Sequence, residues 1–322
     1  MSAPTAGTAA RGGLVHHLVM YSTPDELVAN LLPFVEEGLS SRNSVMTITS
    51  PANVRAIRSG LGPRAADIRF TKSRAWYATP AEVIGRYMTY LREQLAQGRP
   101  SAYVVAEVPW PRDDERLDRE WERYETVINR ILAEAPVNFV CLYSTRRHRP
   151  SIIEAALAEH PTVMTADGVT ASPTYVPPEE LLHRMTPELA VPGGPGRHFG
   201  PEDRVLAAGY AADQASHSGF DENETSKIAA ATIEVLGHGL FHRTPVTVAA
   251  WTEGERFVWQ IEQEGGDQIA PWIGYGALSP DDSDGWGPWL AQHLTDTLEI
   301  GRGVTGPAVQ LTVRRDRIAV VP

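Results

Sequence analysis

The chain has 322 residues, 42% of them hydrophobic, and a formal charge of -11 at pH 7. That is enough chain for two domains with real cores, and too acidic a balance for a broad nucleic-acid-binding face. Its single cysteine, Cys141, excludes an intrachain disulfide and fits a reducing cytoplasm. No run reaches the roughly 18 apolar residues of a membrane span.

Residues 1–13 are rich in Ala, Gly, Ser and Thr, lack the apolar stretch of a signal peptide, and read as a disordered tail. Short strands then alternate with helices from 14 to 182. Residues 15–21 read as a strand. Pro24-Asp-Glu26 opens a helix to 37, with Leu27, Leu31, Phe34 and Val35 on one face. Strands are predicted at 44–49, 68–70, 101–107 and 137–143. Helices are predicted at 51–61, 80–97, 117–135 and 151–159. This order predicts a mainly parallel sheet covered by helices, a three-layer α/β domain.

Pro177-Pro178 and Val191-Pro-Gly-Gly-Pro-Gly196 interrupt the pattern, and 183–200 reads as a linker. From 201 to 322 the order is two helices, two strands, a helix and two strands. A two-layer α/β sandwich follows from it. The second of these helices is expected to run from about 221 to 242.

In the first half, parallel-sheet logic puts a ligand site at the C-terminal ends of the strands. Glu107 and Trp110 follow one strand, Tyr21 and Tyr143 end two others, and Tyr124 and Glu125 lie on the next helix. Two carboxylates with aromatic rings suit a polar or cationic ligand. The alternative is that Glu107 and Glu125 cap helices or pair with Arg74, Arg123 or Arg147. His17, His160, Glu107 and Cys141 are residue types that suit zinc or iron, but no CxxC or HxxxH spacing supports a metal, and none is expected. No GxxxxGK[ST] motif is present.

This half resembles the DcmR-type sensory domain, MEDS. The matching pieces are His17 with Tyr21, Glu107-Val-Pro-Trp110-Pro, Trp121-Glu-Arg-Tyr124-Glu125, Asn129, Cys141-Leu-Tyr143, His160-Pro161 and Ser172-Pro-Thr-Tyr175. The resemblance implies a bacterial regulator that senses a small molecule or stress cue. The candidate ligand-binding residues are His17, Tyr21, Glu107, Trp110, Tyr124, Glu125 and Tyr143.

The second half resembles the histidine-kinase-like (GHKL) ATPase domain in its anti-sigma-factor kinase form, over about 120 residues. In that family an acidic general base is followed by a magnesium-holding Asn and then a His, each four residues on. Here the three positions are Glu234, His238 and His242. An imidazole is a poor magnesium ligand. The adenine-reading Asp of the second motif is Gln263, its first Gly is Gly265, and its second Gly is Asp267. The lid keeps Gly285 and Gly287 but adds Asp281, Asp282, Asp284 and Trp286. Glu234, His238 and His242 are expected on one helix face, lining a vestigial nucleotide pocket.

The resemblance therefore implies a pseudokinase that acts by binding a sigma factor or an anti-sigma-factor antagonist. No cofactor is expected, and ATP with magnesium would bind weakly. Two alternatives stay open: an active serine/threonine kinase with Glu234 as its base, and a homodimeric scaffold. A cytoplasmic regulator with no direct nucleic-acid or membrane contact is the expectation.

Overall fold

The computed structural model describes residues 13–110, 114–189, 192–239, 241, 243–266, 269–275 and 286–315. The chain divides into two compact units, Met1–Leu182 and His183–Pro322. The predicted tail therefore falls almost wholly outside the described residues, as do His242, Asp267 and Gly285.

The first unit begins with β1 (Val15–Tyr21), α1 (Pro24–Ser40), β2 (Ser44–Thr49) and α2 (Pro51–Leu61). It continues through β3 (Arg69–Lys72), α3 (Ser73–Trp76), α4 (Pro80–Ala96), β4 (Ala102–Ala106) and α5 (Glu115–Ile131). Then come β5 (Val137–Ser144), α6 (Pro150–Glu159), β6 (Thr162–Thr165), β7 (Gly168–Ala171) and α7 (Pro178–Arg184). Among the described residues the strands form one sheet in the order β3-β2-β4-β5-β1-β6-β7. All pairs are parallel except β6 with β7.

Local signals set the helix starts. Thr23 caps α1, and Glu26 reaches back to the Ser22 amide at 2.7 Å. Thr79 caps α4 in the same Thr-Pro-x-Glu spacing. Strand alternation then sends successive side chains to opposite faces. Val19, Val105, Val140 and Leu142 pack against Leu27, Leu31 and Phe34 of α1 and Ile57 of α2. Each such buried side chain contributes about 2 kcal/mol. The residues of opposite parity face the other helices: Phe139 meets the Tyr87 ring of α4 edge-on at 4.9 Å.

The second unit contains β8 (Gly196–Phe199), α8 (Arg204–His217), α9 (Glu222–Gly237), β9 (Val246–Glu253) and β10 (Arg256–Gln263). It closes with α10 (Trp286–Leu294), β11 (Thr297–Arg302) and β12 (Pro307–Arg314). The sheet is antiparallel, in the order β11-β12-β10-β9-β8. Phe257, Trp259 and Ile261 of β10 and Val309, Leu311 and Val313 of β12 pack with Ala207, Ala211 and Ala215 of α8 and Ile228, Ala231 and Val235 of α9. The alanine stripe at four-residue spacing lets α8 lie close to the sheet.

Two expectations are corrected here. Residues 183–200 do not form a free linker. Leu189 and Arg302 are joined by a backbone hydrogen bond of 2.8 Å, and β8 pairs with β9. The segment reads as a linker because its Pro and Gly residues break periodicity, yet an edge strand tolerates them. Nor does the helix that starts at Asp221 reach His242. Asp221 forms a capping box with Glu224, but α9 stops at Gly237, and His238 is extended with ψ 142°. Glycine on both sides of His238 disfavours helix there.

Candidate functional site

The C-terminal ends of β1, β2, β4 and β5 converge on Glu107. Its Oε1 accepts from Tyr21 Oη at 3.3 Å and from Arg147 at 3.1 Å. Its Oε2 accepts from the Ser50 amide at 2.7 Å, from Asn53 Nδ2 at 3.0 Å, and from the Thr49 hydroxyl. Asn53 also donates to Tyr21 Oη at 2.8 Å, and Arg147 donates to the same oxygen. Strand ends deliver Tyr21 and Thr49, and the first turn of α2 delivers Asn53. Burial, followed by the charge of Glu107, raises the Tyr21 pKa. Of the readings open from sequence, the pairing of Glu107 with Arg147 is the one present.

Beside this network is a cavity of about 690 Å³. Its basic lining is Lys72, Arg74, Arg146, Arg147 and Arg149. Glu107 is the one carboxylate among the described lining residues, and five donors already occupy it. Arg149 pairs with the buried Asp118. Two ring nitrogens on the lining residues, Trp110 Nε1 and His148 Nδ1, are buried without a hydrogen-bond partner. Burial lowers the His148 pKa to about 4, so the ring is neutral at pH 7. Of the polar or cationic ligand that two carboxylates suggest from sequence, a cationic one does not fit this lining. The second carboxylate is elsewhere and the charge is predominantly positive.

Of the sensor residues chosen from sequence, Tyr21, Glu107 and Trp110 meet here. Tyr143 lies behind them, its ring 6.2 Å from Trp110 and 5.5 Å from His148. Tyr124 packs edge-on with Trp121 and Tyr77 under α4 and α5, away from the cavity lining. His17 shares its face of β1 with Tyr21 but lies four residues before it, away from the strand end, bonded to Thr162 Oγ1 at 2.6 Å and edge-on to Phe34. Lys72 carries no sequence signal, Arg74 enters from sequence only as a pairing partner for Glu107 or Glu125, and the run Arg146-Arg147-His148-Arg149 resembles an ordinary solvated loop.

Glu125 belongs to a second, deeper cluster with His16, Cys141 and His160, all four buried. One ligand atom from each lies within 4.8 Å of every other. His16 Nε2 is 3.2 Å from Cys141 Sγ and 3.7 Å from Glu125 Oε2. Cys141 Sγ is 3.6 Å and His160 Nε2 3.9 Å from that same oxygen. The metal-ligand types noted in the sequence included His17 and Glu107. Parity places His17 on the other face, and His16 takes its place beside Cys141. Burial raises the Glu125 pKa to about 8 and lowers that of His16 to about 4.

In the second unit, a Cβ added at Gly287 would lie 2.3 Å from the Glu234 carbonyl oxygen and 3.5 Å from its carboxylate. The first turn of α10 thus sits directly on the last turn of α9. His238 is buried and, because α9 has ended, does not continue the face that carries Glu234. Gln263 is buried at the end of β10, and Gly265 has φ 66°. A cavity of about 270 Å³ includes Gly265, Gly266 and Thr305 but neither Glu234 nor Gly287. Trp286 is 42% exposed and stacks edge-on with Trp289.

Residues 15–161 match the family model MEDS, the methanogen/methylotroph, DcmR sensory domain. The first unit therefore carries a MEDS domain, which points to a signalling or regulatory role. No curated protein matches the chain. Among solved structures, a unique ATP synthase subunit, NeqB from Nanoarcheaum equitans, superposes with a TM-score of 0.30 at 10% identity, covering 70% of this chain and 63% of that one. The chain thus spans less than two thirds of that relative, and so loose a superposition carries no argument. No helix among the described residues is long and apolar enough to cross a membrane.

Proposed function

We propose that the protein is a signalling regulator whose MEDS domain binds a small anionic molecule in the cavity beside Glu107. The observation that carries this is the charge of the lining: five permanent cations against one carboxylate whose acceptors are filled. Lys72 and Arg74 have no carboxylate partner among the described residues and are available to a ligand. The volume of about 690 Å³ suits a metabolite-sized molecule. Trp110 and His148 add a ring face and unused polar atoms. Phosphorylated or carboxylated compounds are the class that this chemistry recognises.

In this reading the second unit acts by binding a protein. Its likeness to anti-sigma-factor kinases supports a sigma factor or an anti-sigma-factor antagonist as partner. Its departures at His238, Gln263 and Asp267 support a pseudokinase without cofactor. Exposed Val205 and Leu206 of α8, Ile233 of α9, and Trp286 and Leu290 of α10 offer an apolar contact surface. A ligand controls the partner to the extent that it binds two arrangements of the protein unequally.

Isothermal titration of the full chain with inorganic phosphate, sugar phosphates, nucleotides and dicarboxylates tests the sensor. Saturable binding that weakens with salt, and weakens roughly fivefold or more in Lys72→Ala/Arg74→Ala, is expected, since about 1 kcal/mol is lost with the cations. Binding of amines in place of anions would refute the reading.

A further inference from the structure

We infer that His16, Glu125, Cys141 and His160 form a buried tetrahedral site for a borderline transition-metal ion, with zinc the best match. The site lies under the sheet and is separate from the anion cavity.

Hydrogen-bond partners fix both imidazoles. Asn129 Nδ2 contacts two carbonyl oxygens, of Glu159 at 2.9 Å and of Glu125 at 3.3 Å, and must donate to both. Its Oδ1 therefore turns to His16 Nδ1 at 2.9 Å, so that nitrogen carries the proton. His160 Nδ1 contacts the Ala156 carbonyl at 2.7 Å and must also be protonated. Both rings consequently aim an Nε2 lone pair into the cluster. Metal-binding histidines have this arrangement, one nitrogen on the ion and the other held by an acceptor.

The cluster's two protons, on the Cys141 thiol and the Glu125 carboxyl, still leave a lone pair unmet, because the carboxyl oxygen lies 3.9 Å from His160 Nε2, beyond hydrogen-bond distance. The thiol of Cys141 has one proton, and His16 Nε2 at 3.2 Å is its nearest acceptor. His160 Nε2 is wholly buried and has no hydrogen-bond partner. No arginine or lysine pairs with Glu125 among the described residues. A cation at the centre meets all four atoms at once.

The spacing agrees. Zinc bonds of about 2.0–2.1 Å to nitrogen or oxygen and about 2.3 Å to sulfur give tetrahedron edges of roughly 3.3–3.7 Å. Four of the six edges are 3.2, 3.6, 3.7 and 3.9 Å, and the two others, from His160 to His16 and to Cys141, are within 4.8 Å. Two imidazoles, one thiolate and one carboxylate suit zinc better than magnesium or calcium, which take oxygen. On binding, the thiol proton and the carboxyl proton leave to solvent. The resulting thiolate and carboxylate balance the dipositive ion.

The site also touches the cavity through one ring. Tyr143 lies edge-on to His160 at 5.8 Å and to His148 at 5.5 Å.

The test uses the full chain, stripped with a chelator and titrated with cobalt(II) alone. The expected result is one equivalent bound, a thiolate-to-cobalt charge-transfer band in the near ultraviolet, and tetrahedral d–d bands in the visible. Zinc should displace the cobalt and bleach them. Cys141→Ser should abolish the charge-transfer band, and Asn129→Ala, which releases the His16 tautomer, should weaken affinity roughly 10–100-fold. His17→Ala, on the other face of β1, should bind as the parent does. A stripped parent protein that keeps its native circular dichroism yet takes up no cobalt overturns the inference. So does a spectrum of octahedral oxygen coordination, or a charge-transfer band that survives in Cys141→Ser.

Discussion

Arg147 donates to Glu107 at 3.1 Å, tying a half-exposed guanidinium to a carboxylate that is only 7% exposed. Four other donors converge on the same carboxylate. Glu107→Gln keeps the shape but puts an NH2 group against donors that must donate. At least one of them loses its acceptor, at about 1–3 kcal/mol for a buried group. The first thermal transition of the variant should fall by several degrees. An unchanged transition would mean that the network contributes nothing to holding the strand ends together.

His148 supplies a pH dependence. Its ring faces Tyr143 edge-on, and the nearby charges are Glu107, which favours protonation, and Arg147, which opposes it. Burial outweighs both and lowers the folded-state pKa from 6.5 to about 4. The unfolded chain therefore takes up the proton first as the pH drops. The stability due to the neutral ring is full above 6.5 and is lost as the pH falls from 6.5 toward 4. A comparison of the parent with His148→Gln isolates this group from the other buried histidines. The parent should lose stability more steeply over that window, by up to about 1.4 kcal/mol per pH unit. Parallel curves for the two proteins would remove His148 as the cause.

Much of the first unit is readable from its sequence. Thr23 and Thr79 announce helices by their Thr-Pro-x-Glu spacing, and the apolar runs of β2, β4 and β5 suit strands covered on both faces. The β6–β7 pair is not readable, since β7 is four exposed residues without alternation. The site residues divide for a geometric reason. Glu107 and Glu125 both follow β4, but one sits at the strand end and the other, three turns into α5, points under the sheet. The choice between His16 and His17 needs the strand's facing, which turns on a single residue of register. In the second unit, the end of α9 depends on the weak helix propensity of Gly237-His238-Gly239, which a periodic reading passes over.

Gly287 should not tolerate a side chain. A methyl group there would lie 2.3 Å from the Glu234 carbonyl oxygen and 3.1 Å from its carbonyl carbon. Those are backbone atoms of α9 that cannot swing aside, so α10 must move off. Overpacking of this kind costs typically 1–3 kcal/mol. Gly287→Ala should lower the urea midpoint of the second unit, followed by tryptophan fluorescence. Gly209→Ala is the control: no atom lies within 4 Å of its added methyl, and alanine favours a helix interior. That variant should be neutral or slightly stabilised. Equal midpoints for the two variants would show that α9 and α10 are not in close contact.

The same contact bears on nucleotide binding. In the kinase family that this half resembles from sequence, the carboxylate matching Glu234 would face a nucleotide and its metal. Here it lies beside the first turn of α10, within 3.5 Å of where a Cβ of Gly287 would stand. A carboxylate at a helix start gains from the backbone amides there and has reason to stay. His238, which on that resemblance stands in for the magnesium-holding amide, is buried and offers nitrogen to an ion that prefers oxygen. Titration of the full chain with ATP and magnesium should therefore give no heat from the second unit. Glu234→Ala should change its melting behaviour but no phosphotransfer. Micromolar ATP binding that survives Lys72→Ala/Arg74→Ala, with transfer to a partner that Glu234→Ala abolishes, would restore the kinase reading. Binding lost in the Lys72→Ala/Arg74→Ala variant would instead assign the nucleotide to the basic cavity of the MEDS domain.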